Sequence, residues 1–209
     1  MLPEKWKESA KIEICRILNR IGALKFGTFK LTSGRVSPYY IDLRVVPSFP
    51  DAFRKICAFH TEFIKEKIGI EHFNRVAGIP VAGIPLASLV AYGLEKPFLY
   101  IRQEERVHGR QRRVEGILNP GDRVLLVDDL ITTGSTLKKA AQAVEAEGGL
   151  AEDAVVLLDR EEGGREDLQR SGITLHAIIA MSELADRMYE TGTIDELQHK
   201  TILKQIRKK

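Results

Sequence analysis

The segment from Val124 to Thr136 constrains the fold of this chain more than any other stretch. It opens with four apolar residues, a pattern that predicts a fully buried strand. Two adjacent carboxylates, Asp128 and Asp129, follow at the end of this strand, and a small hydroxyl-rich turn then leads into a helical run. A strand, a turn and a helix in this order place exposed backbone N–H groups at a helix N-terminus, where an anion is stabilised.

The turn over 132–136 suits a phosphate, and the carboxylates before it suit a partner with hydroxyl groups or a bound metal ion. Together they indicate a phosphorylated sugar. The chain has neither of the commoner phosphate loops, because it contains no Gly-Lys-Ser/Thr and no Gly-x-Gly-x-x-Gly after a strand. An ordinary turn with two solvated aspartates is the alternative. The combination of strand, acid pair and small polar turn favours a functional site.

Composition limits the other classes of function. The 209 residues are 44% hydrophobic and 29% charged, which is typical of one soluble globular domain. A net charge of only +3 gives no reason to expect nucleic-acid binding, and the apolar runs are too short to span a membrane. Cys15 and Cys57 lie in apolar stretches and are predicted to be buried thiols. Because the N-terminus lacks a secretory signal, we expect a cytoplasmic protein. The low net charge and the short apolar runs lead us to expect contact with neither nucleic acid nor membrane.

Strand and helix patterns alternate along most of the chain. This alternation predicts the α/β class, with a mainly parallel sheet flanked by helices and with ligands bound at the carboxyl ends of the strands. A capping box over Thr193–Glu196 is predicted to start the last helix. The predicted helices cover 4–21, 51–68, 84–94 and 136–147, followed by two short helices at the end. The predicted strands cover 73–78, 97–101, 123–127, 154–158 and 173–180, preceded by a β-ribbon over 26–43.

A second turn between a strand and a helix lies at Ala77–Pro85. Gly78 and Gly83 allow the backbone to approach a ligand closely, and Pro85 suits the opening of a helix. Taken alone, glycine and proline between a strand and a helix usually only form the turn. Beside the first motif, this turn becomes the candidate for a second phosphate loop.

A long polar connection over 102–116 carries five arginines and one histidine against three glutamates. It is either a solvated charged loop or a basic lid that closes over an anionic leaving group. A further arginine, Arg160, follows a predicted strand and has the geometry to grip a carboxylate with two hydrogen bonds. The alternative for Arg160 is a surface ion pair with Glu161 or Glu162, and the residues themselves leave both interpretations open.

The segment 124–136 resembles the phosphoribosyl diphosphate (PRPP) binding motif of type I phosphoribosyltransferases. Two further motifs narrow the resemblance to the orotate phosphoribosyltransferase family. They are the ribbon Phe26-Gly-Thr-Phe-Lys-Leu-Thr-Ser-Gly-Arg-Val-Ser-Pro-Tyr39 and the run Asp159-Arg-Glu-Glu-Gly-Gly164. The likeness extends from about Ala23 to Asp167.

This resemblance implies the type I phosphoribosyltransferase fold and its reaction. A helix and ribbon over 1–45 would form a small hood, residues 46–209 would form the core, and the polar connection would be a long flexible lid. The family joins orotate to PRPP, which gives orotidine 5-monophosphate and diphosphate. The implied cofactor is Mg²⁺, bound through PRPP with no direct protein ligand. The implied assembly is a homodimer in which the lid of one subunit serves the neighbouring site.

The resemblance also implies roles for individual residues. Asp128 and Asp129 would hold the ribose 2- and 3-hydroxyls, and Arg106 and His108 on the lid would stabilise the leaving diphosphate. Arg160 would bind the orotate carboxylate. The other implied substrate-binding residues are Tyr40 at the base, Ala82 and Gly83 in the diphosphate loop, Arg102 and Gln103 on the lid, and Leu130, Ile131, Thr132, Thr133, Gly134, Ser135 and Thr136 around the 5-phosphate.

The chain departs from the best-known bacterial pattern at several lysine positions. Gln103 and Arg106 replace two lysines of the lid, Thr32 replaces one before Ser-Gly-Arg, and Ala82 replaces one in the diphosphate loop. Arginine keeps the charge of lysine, but its planar fork is not a compact ammonium. We therefore expect a working but slow enzyme. A PRPP- or nucleotide-sensing regulator with the same fold and a purine phosphoribosyltransferase are the alternatives.

Overall fold

The computed structural model describes residues 5–30, 36–102 and 112–207. Helices and strands alternate after an N-terminal helix and ribbon. The helices are α1 (Lys5–Arg20), α2 (Pro50–Lys67), α3 (Gly83–Gly93), α4 (Ser135–Ala146), α5 (Gly164–Arg170), α6 (Met181–Glu190) and α7 (Glu196–Arg207). The strands are β1 (Leu24–Lys30), β2 (Val36–Ile41), β3 (Arg75–Gly78), β4 (Phe98–Ile101), β5 (Val114–Glu115), β6 (Arg123–Ile131), β7 (Leu150–Asp159) and β8 (Thr174–Ala180).

Six strands form one sheet in the order β5-β4-β3-β6-β7-β8. All neighbours in this sheet are parallel except the edge pair β4 and β5. Residues 124–127 of the central strand are almost fully buried, as expected for a strand covered on both faces. The α/β class with a mainly parallel sheet flanked by helices is therefore confirmed. Strand β5 was not predicted, because its two residues carry no alternating pattern.

The N-terminal helix and the β1–β2 ribbon share their core with one face of the sheet. Tyr39 of the ribbon is fully buried in the same apolar cluster as residues of α2, α3 and α6. A second cluster on the other face packs α4 and α5 against the strands. Ion pairs from Lys11 to Glu183 at 2.7 Å and from Lys55 to Glu13 at 2.5 Å hold α1 against α6 and α2. The division into a hood over 1–45 and a core over 46–209 stays a prediction.

The central strand is longer than its apolar run. It was predicted to end at residue 127, with the acid pair after it, but β6 continues to Ile131 and includes both aspartates. The pairing with β7 explains the difference, since it continues as far as Ile131 opposite Asp159. Tertiary pairing overrides the low strand propensity of aspartate. The acid pair is consequently held on a rigid strand end, not on a loop.

The start of the last helix also differs from the prediction. Asp195 and Gln198 cap each other. The backbone N–H of Gln198 donates to Asp195 Oδ1 at 2.8 Å, and the backbone N–H of Asp195 donates to Gln198 Oε1 at 3.0 Å. This is a capping box displaced by two residues from Thr193–Glu196, which was the wrong register. Cys15 and Cys57 are buried free thiols, as predicted. Within the described ranges, the helices are all too short or too polar to cross a membrane.

Candidate active site

A cleft of about 530 Å³ opens where the central strands end. One wall comes from the ribbon and the segment after it, and the other comes from the β6–α4 turn. This is the edge of a parallel sheet at which ligands are expected to bind. The residues around the cleft are Lys30, Tyr40, Ile41, Asp42, Leu43, Arg44, Pro80, Val81, Ala82, Asp128, Asp129, Leu130, Ile131, Thr132, Thr133, Gly134, Ser135, Thr136, Leu137 and Arg160.

The turn over 132–136 begins α4 without a side-chain cap. Gly134 occupies the cap position with φ of 79°, in the left-handed region that favours glycine. Because no side chain there accepts a hydrogen bond from the first turn, its backbone N–H groups remain available to a ligand. Every residue of this turn lines the cleft. The turn therefore has the geometry of an anion site at a helix N-terminus, and the role that the sequence assigns to it stays a prediction.

The run 159–164 supports this turn from behind. A Cβ on Gly134 would lie 3.0 Å from the Gly164 carbonyl oxygen, and a Cβ on Gly164 would lie 2.6 Å from the Thr132 carbonyl oxygen. The two backbones thus pack as closely as glycine allows. Asp159 stiffens the run by accepting hydrogen bonds from the Glu161 amide at 2.8 Å and from Arg165 Nε at 3.1 Å. The two motifs that were separate in the sequence form one rigid wall.

The acid pair lies at the floor of the cleft. Asp128 Oδ1 accepts the Asp129 amide at 2.9 Å, and Asp129 Oδ1 accepts the Leu130 amide at 2.8 Å. Burial raises the pKa of both carboxyls, and for Asp128 the neighbouring charge of Asp129 raises the pKa further. Carboxyl oxygens accept hydrogen bonds, which suits a pair of sugar hydroxyls.

The second phosphate loop reaches the same cleft. Pro80, Val81 and Ala82 line it, and α3 starts directly afterwards with no side-chain cap. Gly83 does not line the cleft; its backbone packs against the acid pair instead. A Cβ there would lie 2.7 Å from Asp128 Oδ1 and 2.8 Å from the Val127 carbonyl oxygen. The glycine is required because the loop passes directly over the end of β6.

Arg160 forms the ion pair with Glu162 that the sequence allowed, although the pair is buried and not at the surface. Its Nη2 lies 2.8 Å from Glu162 Oε1 in a buried ion pair, while the side chain also lines the cleft. Its guanidinium carbon lies 5.2 Å from the centre of the Tyr39 ring. Glu161 accepts the Ser182 amide at 2.6 Å and is not the partner. Arg160 is 4% exposed, and its buried Nε has no hydrogen-bond partner among the described residues.

Tyr40 lines the cleft as predicted, together with three charged residues that the sequence reasoning missed. These are Lys30, Asp42 and Arg44. Arg44 donates through Nε to Asp42 Oδ1 at 2.7 Å and through Nη2 to the Tyr40 hydroxyl at 2.6 Å. An available signal was the opposite-charge pair Asp42-Leu-Arg44, which follows directly after the ribbon motif.

Three lid residues, Gln103, Arg106 and His108, lie outside the described residues. Arg102 is described at the end of β4, where its Nη1 donates to Glu115 Oε1 at 3.1 Å. It does not line the cleft of its own chain. The roles of these four residues stay predictions.

Comparison with known proteins identifies the family to which this chain belongs. The phosphoribosyl transferase domain model matches residues 51–182. The orotate phosphoribosyltransferase of Staphylothermus marinus is 42% identical over 190 residues, which are 90% of this chain and 91% of that protein. The enzyme of the same name from Cenarchaeum symbiosum is 40% identical over 177 residues, covering 85% and 88%.

A solved structure extends the likeness to three dimensions. The crystal structure of orotate phosphoribosyltransferase from Aeropyrum pernix superposes with a TM-score of 0.76 at 31% identity, covering 87% of this chain and 99% of that one. The matched residues include the acid pair, the 132–136 turn and the 80–83 loop within the domain model. The chain therefore belongs to the orotate phosphoribosyltransferase family and has the type I phosphoribosyltransferase fold.

Proposed function

We propose that this chain transfers ribose 5-phosphate from PRPP to orotate, giving orotidine 5-monophosphate and diphosphate in pyrimidine nucleotide synthesis. One observation carries the proposal. A single cleft joins an uncapped helix N-terminus, a buried pair of carboxyls and a buried arginine. The helix N-terminus suits a phosphate, the carboxyls suit the hydroxyls of a ribose, and the arginine suits the carboxylate of orotate.

PRPP fits the cleft in one direction. The 5-phosphate takes the amides and hydroxyls of the 132–136 turn, and the ribose hydroxyls bond to Asp128 and Asp129. The diphosphate then lies on the side of the 80–83 loop, where Pro80, Val81 and Ala82 line the cleft. The rigid backing of the turn by Gly164 fixes the sugar before the reaction begins.

Orotate lies beside Arg160, which also lines the cleft. Arg160 grips its carboxylate, with Glu162 and the Tyr39 ring holding the guanidinium in place. Tyr40 borders the base through its backbone. The bond from ribose C1 to the diphosphate oxygen breaks while the orotate nitrogen bonds to C1, and the nitrogen is already deprotonated. No strong general base is needed, so the chain contributes mainly position and charge.

The leaving diphosphate needs positive charge. We propose that Arg106 and His108, with Arg102 and Gln103, supply it from the lid of the neighbouring subunit. Mg²⁺, when bound with PRPP, neutralises charge on the diphosphate.

We also propose that the chain forms a homodimer in the cytoplasm, through the face made by α3 and β4. Tyr92 is 84% exposed and Val81 is 69% exposed, and Leu89 and Tyr100 are exposed apolar side chains near them in the chain. A second copy is the proposed occupant, because α3 begins at the diphosphate loop and β4 leads into the lid segment. Sedimentation should give a dimer for the wild type, and Tyr92→Glu should give monomers. A wild-type monomer at micromolar concentration would contradict this assembly.

An ultraviolet assay tests the proposed reaction. Purified protein with PRPP and Mg²⁺ should lower the absorbance of orotate, and parallel reactions with adenine and hypoxanthine should show no product. Preference for a purine would refute the role given to Arg160. No loss of orotate after long incubation, together with PRPP binding, would indicate a sensing regulator.

The same assay tests the unusual lid. Arg106→Lys restores the compact ammonium at the lid position. If the arginine slows the reaction, this variant turns over faster than the wild type at saturating substrate. An equal or lower rate would show that Arg106 is not a handicap.

A further inference from the structure

The diphosphate side of the cleft carries little positive charge of its own. The loop residues Pro80, Val81 and Ala82 are uncharged, and the neighbouring acid pair is negative or neutral. A polyanion beside carboxylates is repelled unless a cation offsets the charge. Within 5–30, 36–102 and 112–207, the cations that line the cleft are Lys30, Arg44 and Arg160. Arg160 is assigned to orotate and Lys30 lies at the end of β1, whereas Arg44 lies on the segment whose apolar residues pack near Ala82 of the diphosphate loop.

Arg44 lies on a segment that packs against this side of the cleft. It is the second residue of a 3₁₀ helix, Leu43–Ser48, that follows β2. Leu43, Val46 and Pro47 of this helix enclose a cavity of about 20 Å³ together with Ala82, Leu86 and Asp129. The helix therefore packs against both the diphosphate loop and the acid pair. The positive charge of Arg44 acts on Asp129, where it opposes the rise in pKa that burial causes.

The guanidinium of Arg44 is held in advance of any ligand. Nε donates to Asp42 Oδ1 at 2.7 Å, and Nη2 donates to Asp42 Oδ2 at 3.1 Å and to the Tyr40 hydroxyl at 2.6 Å. Nη1 has no partner in the part of the chain that the structure describes, and 58% of the side chain is exposed. A planar fork fixed by a carboxylate loses little further freedom when it binds a phosphate.

We infer that Arg44 is a further substrate-binding residue, which contacts the diphosphate of PRPP from the ribbon side of the cleft. The inference rests on the proposed function. Arg44 supplies within its own chain a charge that the loop lacks at Ala82. Asp42 is its positioning residue, because two hydrogen bonds to Asp42 set the direction of the guanidinium. The diphosphate carries most of its charge before the bond breaks, so this contact contributes to binding more than to turnover.

Steady-state kinetics with two matched variants test this inference. In Arg44→Gln, the KM for PRPP should rise about tenfold, whereas the KM for orotate and kcat should change less than about twofold. Arg123→Gln is the control, since Arg123 pairs with Glu152 at the opposite end of β6 and loses the same charge. It should behave as the wild type. Arg44→Lys should recover part of the PRPP affinity.

Direct binding separates the two ends of PRPP. Calorimetry of Arg44→Gln with Mg²⁺ and inorganic diphosphate should show about tenfold weaker binding, and ribose 5-phosphate should bind as in the wild type. Asp42→Asn should show a smaller loss of diphosphate affinity with unchanged ribose 5-phosphate affinity. Wild-type diphosphate affinity in Arg44→Gln, or a rise only in the KM for orotate, would overturn the inference. An inactive wild type would instead defeat the proposed function.

Discussion

Replacement of Gly83 by alanine tests how tightly the diphosphate loop is seated on the acid pair. The added Cβ would lie 2.7 Å from Asp128 Oδ1 and 2.8 Å from the Val127 carbonyl oxygen. Both distances are too short for a carbon atom, and neither neighbour is the free end of a flexible side chain. The start of α3 must therefore move away from the end of β6.

Two opposing effects of the substitution set the change in the free energy of unfolding. Gly83 is the first residue of α3 and has no left-handed backbone, so alanine alone would stabilise the protein by about 0.4–1 kcal/mol. Forcing a methyl group into a packed site costs about 1–3 kcal/mol. The net loss is about 1–2 kcal/mol, which lowers Tm by about 2–8 °C in a domain of this size. Displacement of the loop should also raise the KM for PRPP about tenfold or more.

Thermal unfolding and PRPP kinetics measure the two effects. Gly93→Ala is the control at the other end of the same helix, where the nearest atom to the new Cβ is the Thr61 hydroxyl at 3.2 Å. This variant should change Tm by less than about 2 °C and leave the KM for PRPP unchanged. The reasoning is refuted if Gly83→Ala keeps both the Tm and the KM of the wild type.

Other substitutions test the acid pair, the orotate wall and the pH dependence. Asp128→Asn keeps the Oδ1 acceptor and removes a charge that burial disfavours, so Tm should not fall, while calorimetry should show PRPP affinity at least tenfold weaker. Arg160→Met should raise the KM for orotate more than tenfold and lower stability by about 3–5 kcal/mol, because it breaks the buried ion pair with Glu162; adding Glu162→Gln should recover the stability but not the orotate affinity. Burial lowers the pKa of His60 to about 4, below its ordinary value of 6.5, so the stabilising neutral form is fully present above pH 6.5 and lost as the pH falls towards 4. Between pH 6.5 and pH 4, the free energy of unfolding measured with denaturant should fall by about 3 kcal/mol less in His60→Gln than in the wild type. Equal falls in the two proteins would contradict the lowered pKa of His60.

Local patterns were sufficient for the core of the site. The apolar run at 124–127 and the turn at 132–136 each carry their own signal, because burial and turn chemistry depend on adjacent residues. Their order along the chain then places an anion site at the sheet edge. Arg160 pairs with Glu162 as one interpretation of the residues allowed, but the pair is buried and not at the surface, and the grip on a carboxylate stays a prediction.

Features that depend on tertiary contacts were not predictable from these patterns. The extension of β6 to Ile131 comes from pairing with β7, which the aspartates themselves disfavour. The hydrogen-bonded group of Tyr40, Asp42 and Arg44 shares a cleft with the acid pair only because the ribbon folds over the sheet. The sequence offers two equally plausible N-caps for α7, at Thr193 and at Asp195. The structure uses Asp195, in a helix that packs against α6.

Calorimetric titration with PRPP and Mg²⁺ tests the central claim most directly. The wild type should bind one PRPP per chain with a saturating isotherm, and the double variant Asp128→Asn, Asp129→Asn should lose this saturation while it remains folded. Absence of saturable heat in the folded wild type, or equal affinity in the double variant, would contradict the assignment of the cleft.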